Sequence, residues 1–459
     1  MLHERLIEAL GAGAVKTSPE DLAVYAFDAY SQAPPPAAVV LPANTRDVAA
    51  VVKIANDCGE PIVARGAGTG LCGGAVPLHR GIVISFARMN RMLELDARNR
   101  RARVQPGLVN LDLSRTVESS GLFYAPDPAS QKSSTIGGNC GTNAGGPHCL
   151  GYGTTVNHVL GLEVVDHQGE TFTTSIDDVG YDLTAALVGS EGTLGIITAI
   201  DVRLLRLPEA VRVWLAAFGD VESASGCVSA IVAAGIVPTA LEIMDDVIVK
   251  AVEAAFGAGY PLDAGAVLLI EHAGFADDMD EREHAIERIA AEHGALSWRA
   301  ARTQAERDAL WAGRKGAAGA TGRIAPNYYT QDVCVPRSKL PAALHFVQES
   351  ARRHGLTVGN VFHAGDGNLH PLLMYDRRET KQVAAVIETG NEILQACVEL
   401  GGTISGEHGV GVEKREAMTL VYSTEDLAAM ANVRDVFDPK WKLNPEKIFP
   451  AGTRCPELP

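Results

Sequence analysis

None of the eight cysteines of this 459-residue chain stands in a Cys-x-x-Cys pair, which excludes an encoded zinc ribbon or iron–sulfur cluster. Scattered thiols of this kind fit a reduced, cytoplasmic protein. Electrons bound for a cluster would have to pass to another chain. Long apolar runs are also missing: none reaches the length of a bilayer span. Residues 1–10 interleave acids with apolar positions, which predicts a short amphipathic helix and not a signal peptide. Basic residues are in deficit, 40 Lys and Arg against 56 Asp and Glu, for a net charge of −16. That balance argues against nucleic acid or an anionic membrane surface as partner. An anionic substrate would need local positive charge from a metal or an arginine. There is no internal repeat and no low-complexity tract.

What the chain has in quantity is glycine, 47 residues of it, and three stretches of the N-terminal half are rich in it. Its length calls for two or three domains, and 46% hydrophobic with 21% charged residues is a globular composition. The first stretch, residues 66–74, follows a buried strand over 61–65. Gly68-x-Gly70-x-x-Gly73 has the spacing of the dinucleotide fingerprint, but Gly74, Pro77 and Gly81 break the helix that the fingerprint must open. The reading kept is a loop whose bare N–H groups can cradle a diphosphate, with a plain flexible turn as the alternative. The second stretch, 125–146, mixes hydroxyls, amides and glycines, which lets backbone lie against a flat, polar-edged ligand. The third spans 189–195.

Two further glycine-rich segments, 359–371 and 405–411, carry His363, His370, Glu407 and His408. Two imidazoles and a carboxylate form a common ligand set for a Zn²⁺-like ion with an open position. The remaining histidine can serve as a base near neutral pH. A lone histidine is more often an ordinary polar loop residue; clustering beside Gly365, Gly367, Gly406 and Gly409 favours function here. Asn44 is expected to cap a helix through Ile54, Asn110 one over 111–120, and residues 166–169 to turn a hairpin. Beyond Pro208, strands and helices alternate, which predicts a separate α+β domain with an antiparallel sheet and helices on one face. Arg314 and Lys315 end a helical segment, and residues 379–400 form a long amphipathic helix.

Taken together, residues 64–71, 124–146, 362–371 and 405–411 resemble the FAD-linked oxidases of the vanillyl-alcohol oxidase and PCMH group. Within it the likeness is to the 2-hydroxyacid branch of glycolate oxidase FAD subunits, D-lactate dehydrogenases and D-2-hydroxyglutarate dehydrogenases. The resemblance implies an α+β fold: a PCMH-type FAD-binding domain over 1–208, a cap domain over 209–420 and a closing segment over 421–459. It implies noncovalent FAD along Arg65, Gly66, Ala67, Gly68, Thr69, Gly70, Leu71, Pro126, Asp127, Thr135, Gly137, Gly138, Asn139, Asn143, Gly145, Glu191, Gly192, Thr193, Ile197 and Asn444. His363, His370 and Glu407 match the branch's metal ligands, with Zn or Mn expected. His408 matches its base, and Arg314 the arginine that holds the substrate carboxylate; Tyr329 is a further substrate candidate. The implied reaction is oxidation of a small 2-hydroxy acid, glycolate or D-lactate, with hydride passing to flavin N5. Ala318 and Thr330 stand where D-2-hydroxyglutarate enzymes carry a hydroxyl and a lysine, which disfavours a second substrate carboxylate. His148 is not expected to tether FAD. Implied partners are a second FAD-domain subunit and an iron–sulfur subunit, with a homodimer as another assembly and an inner-membrane periphery reached through those subunits. A flavin-free subunit and a metallohydrolase are the readings from other classes.

Overall fold

Helix and strand form where apolar spacing and end signals agree, and in this computed structural model, which describes residues 2–453, they build two compact units. The first takes in the described parts of Met1–Gly146, Gly153–Leu207 and Glu407–Pro459; the second consists of Pro147–Tyr152 and Pro208–Gly406. No helix among the described residues is long and apolar enough to cross a membrane.

After the expected N-terminal helix, Leu2–Leu10, the first unit continues with strands β1 (Val15–Lys16) and β2 (Ala38–Val40), then helix α1 (Thr45–Cys58), β3 (Ile62–Arg65) and β4 (Ile82–Ser85). They form a sheet in the order β1-β2-β4-β3, parallel except at β1. Asn44 caps α1 by accepting the Asp47 N–H, and Gly59 closes it in the left-handed region. Val48, Val51, Val52 and Ala55, at helical spacing, bury against Ile62, Ile82 and Ile84. The glycine stretch after β3 forms no helix, as its Gly74, Pro77 and Gly81 predict.

Next come β5 (Met92–Asp96), β6 (Arg101–Val104), α2 (Asn110–Val117), α3 (Ile136–Thr142), β7 (Val159–Val165), β8 (Thr171–Ser175) and β9 (Ile196–Arg203). The five strands pair antiparallel in the order β5-β6-β9-β7-β8 and share one core with α2 and α3. The β7–β8 turn falls at 166–169 as expected. Asn110 does not cap α2: Val109 holds that place, and the buried Asn110 amide donates to the Pro126 carbonyl at 2.9 Å and Asn139 Oδ1 at 3.0 Å. Two buried acceptors outbid a solvent-side cap.

In the second unit run β10 (Ala210–Phe218), α4 (Val221–Ala233), β11 (Ala240–Asp245), α5 (Asp246–Phe256), β12 (Ala266–Gly274), α6 (Met279–Glu292), β13 (Ser297–Ala300), α7 (Gln304–Lys315), α8 (Ala317–Ala320), β14 (Asn327–Thr330), α9 (Leu340–Arg353), β15 (Thr357–His363), β16 (Asn368–Tyr375) and α10 (Thr380–Glu399). The strands make one antiparallel sheet in the order β13-β10-β12-β11-β15-β16-β14. Helices cover both of its faces, where the sequence reading placed them on one. Helices α5, α7 and α8 share a core with alternate strand residues such as Leu269, Met244 and Leu372; α4, α6, α9 and α10 pack on the other side. The physical reason is in the strands: residues 266–270 are apolar and buried at every position, and a strand wet on one face would alternate.

The closing residues return to the first unit. Ile62 N–H donates to the Lys442 carbonyl and Asn444 N–H to the Ile62 carbonyl, at 2.9 and 2.7 Å. Arg434 lies 4.2 Å over the Trp441 ring and donates to the Leu443 carbonyl. Lys447 is fully buried, its Nζ 2.9 Å from the Val76 carbonyl, and burial lowers its pKa from 10.5 to about 8. Between those values the unfolded chain keeps a proton that the folded chain has released, so stability rises with pH across that window. Below about 8 both states hold the proton and the burial cost stands in full. Relative to a Lys447→Met variant, the wild-type chain should therefore gain up to roughly 3 kcal/mol as the pH rises from about 8 through 10.5. Denaturant titrations of both proteins at several pH values check this; parallel curves would refute it.

Candidate active site

In the first unit the glycine stretches meet around one cleft. Its wall includes Arg65, Gly66, Ala67, Gly68, Thr69, Gly70 and Leu71, then Thr135, Gly137, Gly138 and Asn139, then Glu191, Gly192 and Ile197. The loops can approach one another because they lack side chains. A Cβ on Gly66 would lie 2.5 Å from Thr135 Oγ1, and one on Gly137 2.4 Å from Pro106 Cβ. At Gly70 and Gly141, which also line the cleft, a Cβ would meet no protein atom within 4 Å, so bare backbone borders open space. This is a cradle suited to a flat ligand with polar edges, as FAD is, and the residues present fit it.

The remaining cofactor candidates sit behind that wall. Asn444 donates its amide to the carbonyls of Gly74 and Glu191, at 2.8 and 2.7 Å, binding two cleft loops together. Asn143, at φ 51°, accepts the Val156 N–H at 2.9 Å. Thr193 Oγ1 donates to the Ser190 carbonyl, and the Pro126 carbonyl accepts from Asn110. Gly145 is buried, and the Asp127 carbonyl leaves no room for a Cβ at Gly146.

Glu407 and His408 line the same cleft, with His408 Nε2 4.0 Å from Glu407 Oε1. Their loop is clamped from two sides. The Cys72 thiol donates to the His408 carbonyl, and the Glu191 carboxylate accepts the N–H groups of Val410 and Gly411, at 2.8 and 3.0 Å. Burial pushes the Glu191 carboxyl up, and those two hydrogen bonds oppose the shift. Gly411 sits at φ 53°, where a Cβ would lie 2.1 Å from the Cys72 carbonyl oxygen.

The second unit gathers its own polar cluster by strand alternation. Met244, Val361 and Leu372 point into the core shared with α5, α7 and α8; Glu242, His363 and His370 have the same parity on their strands and share that face. The two imidazoles stand edge to face, centroids 5.1 Å apart. Arg314, one turn beyond the core residue Leu310 on α7, places Nε and Nη2 on Glu242 Oε2 at 2.7 and 2.5 Å. His363 Nδ1 meets the other oxygen, Oε1, at 2.7 Å. Asp332, fully buried, lies 3.8 Å from His370 Nδ1 and accepts Ser405 Oγ and Gly406 N at 2.8 and 2.9 Å. Tyr329 is on the opposite face: it pairs with Leu373, and its ring edge packs where a Cβ on Gly390 would stand. Thr330, paired with Leu372, faces the histidines' side. His148 is committed to Glu271 at 2.8 Å, a carboxylate that also accepts the Trp311 indole N–H. Glu242 and Asp332 escaped the sequence reading. The signal for Glu242 was an acid inside the apolar run Ala240-Leu-Glu-Ile-Met244, where only a buried partner makes a charge tolerable.

Residues 36–175 match the family of the FAD binding domain, and residues 207–448 that of FAD linked oxidases, C-terminal domain. The chain is 45% identical over 426 residues to the glycolate oxidase subunit GlcD of Escherichia coli (strain K12), covering 92% of this chain and 85% of that protein. It is 34% identical over 429 residues to a D-lactate dehydrogenase of Anaerostipes hadrus, covering 90% and 89%. The solved structure of p-cresol methylhydroxylase with substrate bound shares the fold, with a TM-score of 0.81 at 15% identity over 97% of this chain and 96% of that one.

A methyl group at Gly411 collides with the Cys72 carbonyl, near the end of the first glycine-rich stretch, and must push the loop that carries Glu407 and His408 away from it. Gly411→Ala should keep bound FAD, read from its visible absorbance, while turnover falls at least about tenfold; equal loss of flavin and activity would contradict this. From the two family matches, which together run from residue 36 to 448, and the identity to these relatives, the chain belongs to the FAD-linked oxidases.

Proposed function

We propose that this chain oxidises small 2-hydroxy acids, glycolate or D-lactate, to the corresponding 2-oxo acids. The observation that carries the reading is the presence of Glu407 and His408 on the wall of the cleft built from the glycine-rich loops. The names of the relatives, glycolate oxidase subunit and D-lactate dehydrogenase, support the same chemistry. Bound FAD supplies the hydride acceptor. His408 takes the proton of the substrate hydroxyl, a task suited to an imidazole near neutral pH. Its loop holds it in place through Cys72 and Glu191, so the base is oriented before substrate arrives. Arg314 binds the substrate carboxylate in a charge-assisted contact; Nη1, which Glu242 does not engage, is the donor we assign. Ala318 and Thr330 add no cation, which suits a substrate with one carboxylate.

The donor set of His363, His370 and Glu407 fits a divalent ion of the Zn or Mn type, since His363 holds a carboxylate on Nδ1 and so offers Nε2. Such an ion would supply positive charge that eases loss of the hydroxyl proton. The relative called a subunit also supports work alongside other chains, for which we propose a second FAD-domain subunit and an iron–sulfur subunit.

The test is anaerobic and optical. Glycolate, D-lactate, L-lactate and D-2-hydroxyglutarate are added separately to the yellow protein, and the oxidised-flavin band is followed. Bleaching by glycolate or D-lactate, lost with a chelator and restored by Zn²⁺ or Mn²⁺, is the expected result; bleaching by none of the four would overturn the reading. His408→Gln should retain FAD and lower the bleaching rate by ~10²–10⁴-fold. A His408→Gln protein that bleaches at the wild-type rate would remove the base assignment.

A further inference from the structure

We propose that Glu242 is a positioning residue that sets the metal-binding imidazole and the substrate-binding guanidinium with one carboxylate. The inference rests on the roles proposed above for His363 and Arg314, and it adds a coupling between them. Glu242 is fully buried in a strand whose neighbours are apolar, and its two oxygens are divided between two partners: Oε1 to His363 Nδ1 and Oε2 to Arg314 Nε and Nη2. A buried ion pair of this kind is weak evidence of stabilisation, because apolar residues in place of the whole pair would serve the fold as well. Its value lies in what the carboxylate dictates to its partners.

A carboxylate only accepts hydrogen bonds, so Glu242 Oε1, at 2.7 Å, claims a proton on Nδ1, while the guanidinium Nη2, which only donates, lies too far from that nitrogen, at 3.5 Å, to compete for its lone pair. The proton of a neutral His363 therefore resides on Nδ1, and the lone pair a metal needs is on Nε2. The β11–β15 ladder places Glu242 directly across from His363, so backbone register fixes the partner and not side-chain reach alone. On the other oxygen, the contacts with Nε and Nη2 fix the plane of the guanidinium and leave Nη1 unspent on Glu242. One residue thereby governs two subsites, and its loss should disturb both at once.

Glu242→Gln offers one acceptor oxygen where two donors compete, and Glu242→Asp keeps the charge but retracts both oxygens. In each variant Zn²⁺ affinity, measured by competition with a fluorescent chelator, should fall ~10–100-fold. The KM for the 2-hydroxy acid should rise, while FAD content stays at the wild-type level. The Asp variant preserves the buried charge balance and serves if the Gln variant does not fold. A folded variant with wild-type Zn²⁺ affinity and wild-type KM overturns the proposal alone. A wild-type chain that takes up no Zn²⁺ overturns the metal assignment, and this proposal with it.

Discussion

The Glu191 carboxylate, accepting two consecutive backbone N–H groups of the 407–411 loop, is the contact on which the cleft's chemistry depends. Its hydrogen-bond partners in that loop are backbone groups and not side chains. Gly409 and Gly411 are bare because Glu191 and Cys72 occupy the space their Cβ atoms would need. Glu191 itself sits at φ 53°, an uncommon conformation for a residue with a Cβ, and its own carbonyl is held by Asn444. A carboxyl group that accepts two N–H groups is a strong device in a buried place. It ties a loop late in the chain to one near its middle, and the histidine between them inherits the rigidity.

Much of this was legible in the residues. Three glycine stretches announced loops that must come close, and the broken helix signal after Gly73 kept the first of them from being read as a dinucleotide-binding turn. The histidines drew notice through their glycine-flanked spacing. What stayed hidden was partnership across long separations. Nothing local marks Glu191 as the acceptor for Val410, or Asp332 for Gly406, because a hydrogen bond between distant segments leaves no period in the sequence. Asn110 shows the opposite failure: its type and position suggested a cap, and the tertiary environment provided better partners.

Strand alternation accounts for what the second unit adds. Because successive side chains leave a strand on opposite faces, a one-residue difference separates Tyr329, packed on α10, from Thr330 on the histidines' face. The same rule brings Glu242, His363 and His370 to one side. Reading helices onto both faces of that sheet required noticing that residues 266–270 of a central strand are apolar at every position, a pattern that short runs share with buried helices.

The first unit is written in three separated pieces, and the last supplies Leu443 and Asn444, which pair with and bond to β3 near the beginning of the chain. The second unit is almost continuous over Pro208–Gly406. A ribosome delivering the chain from its N-terminus therefore completes the contiguous unit first, while the β3 edge waits for its last neighbour. Parallel pairing across so many residues carries a large loop-closure cost, which makes docking of the tail a late event in folding. His408 lies in that tail segment, so its loop takes its place on the cleft wall only as the molecule finishes folding.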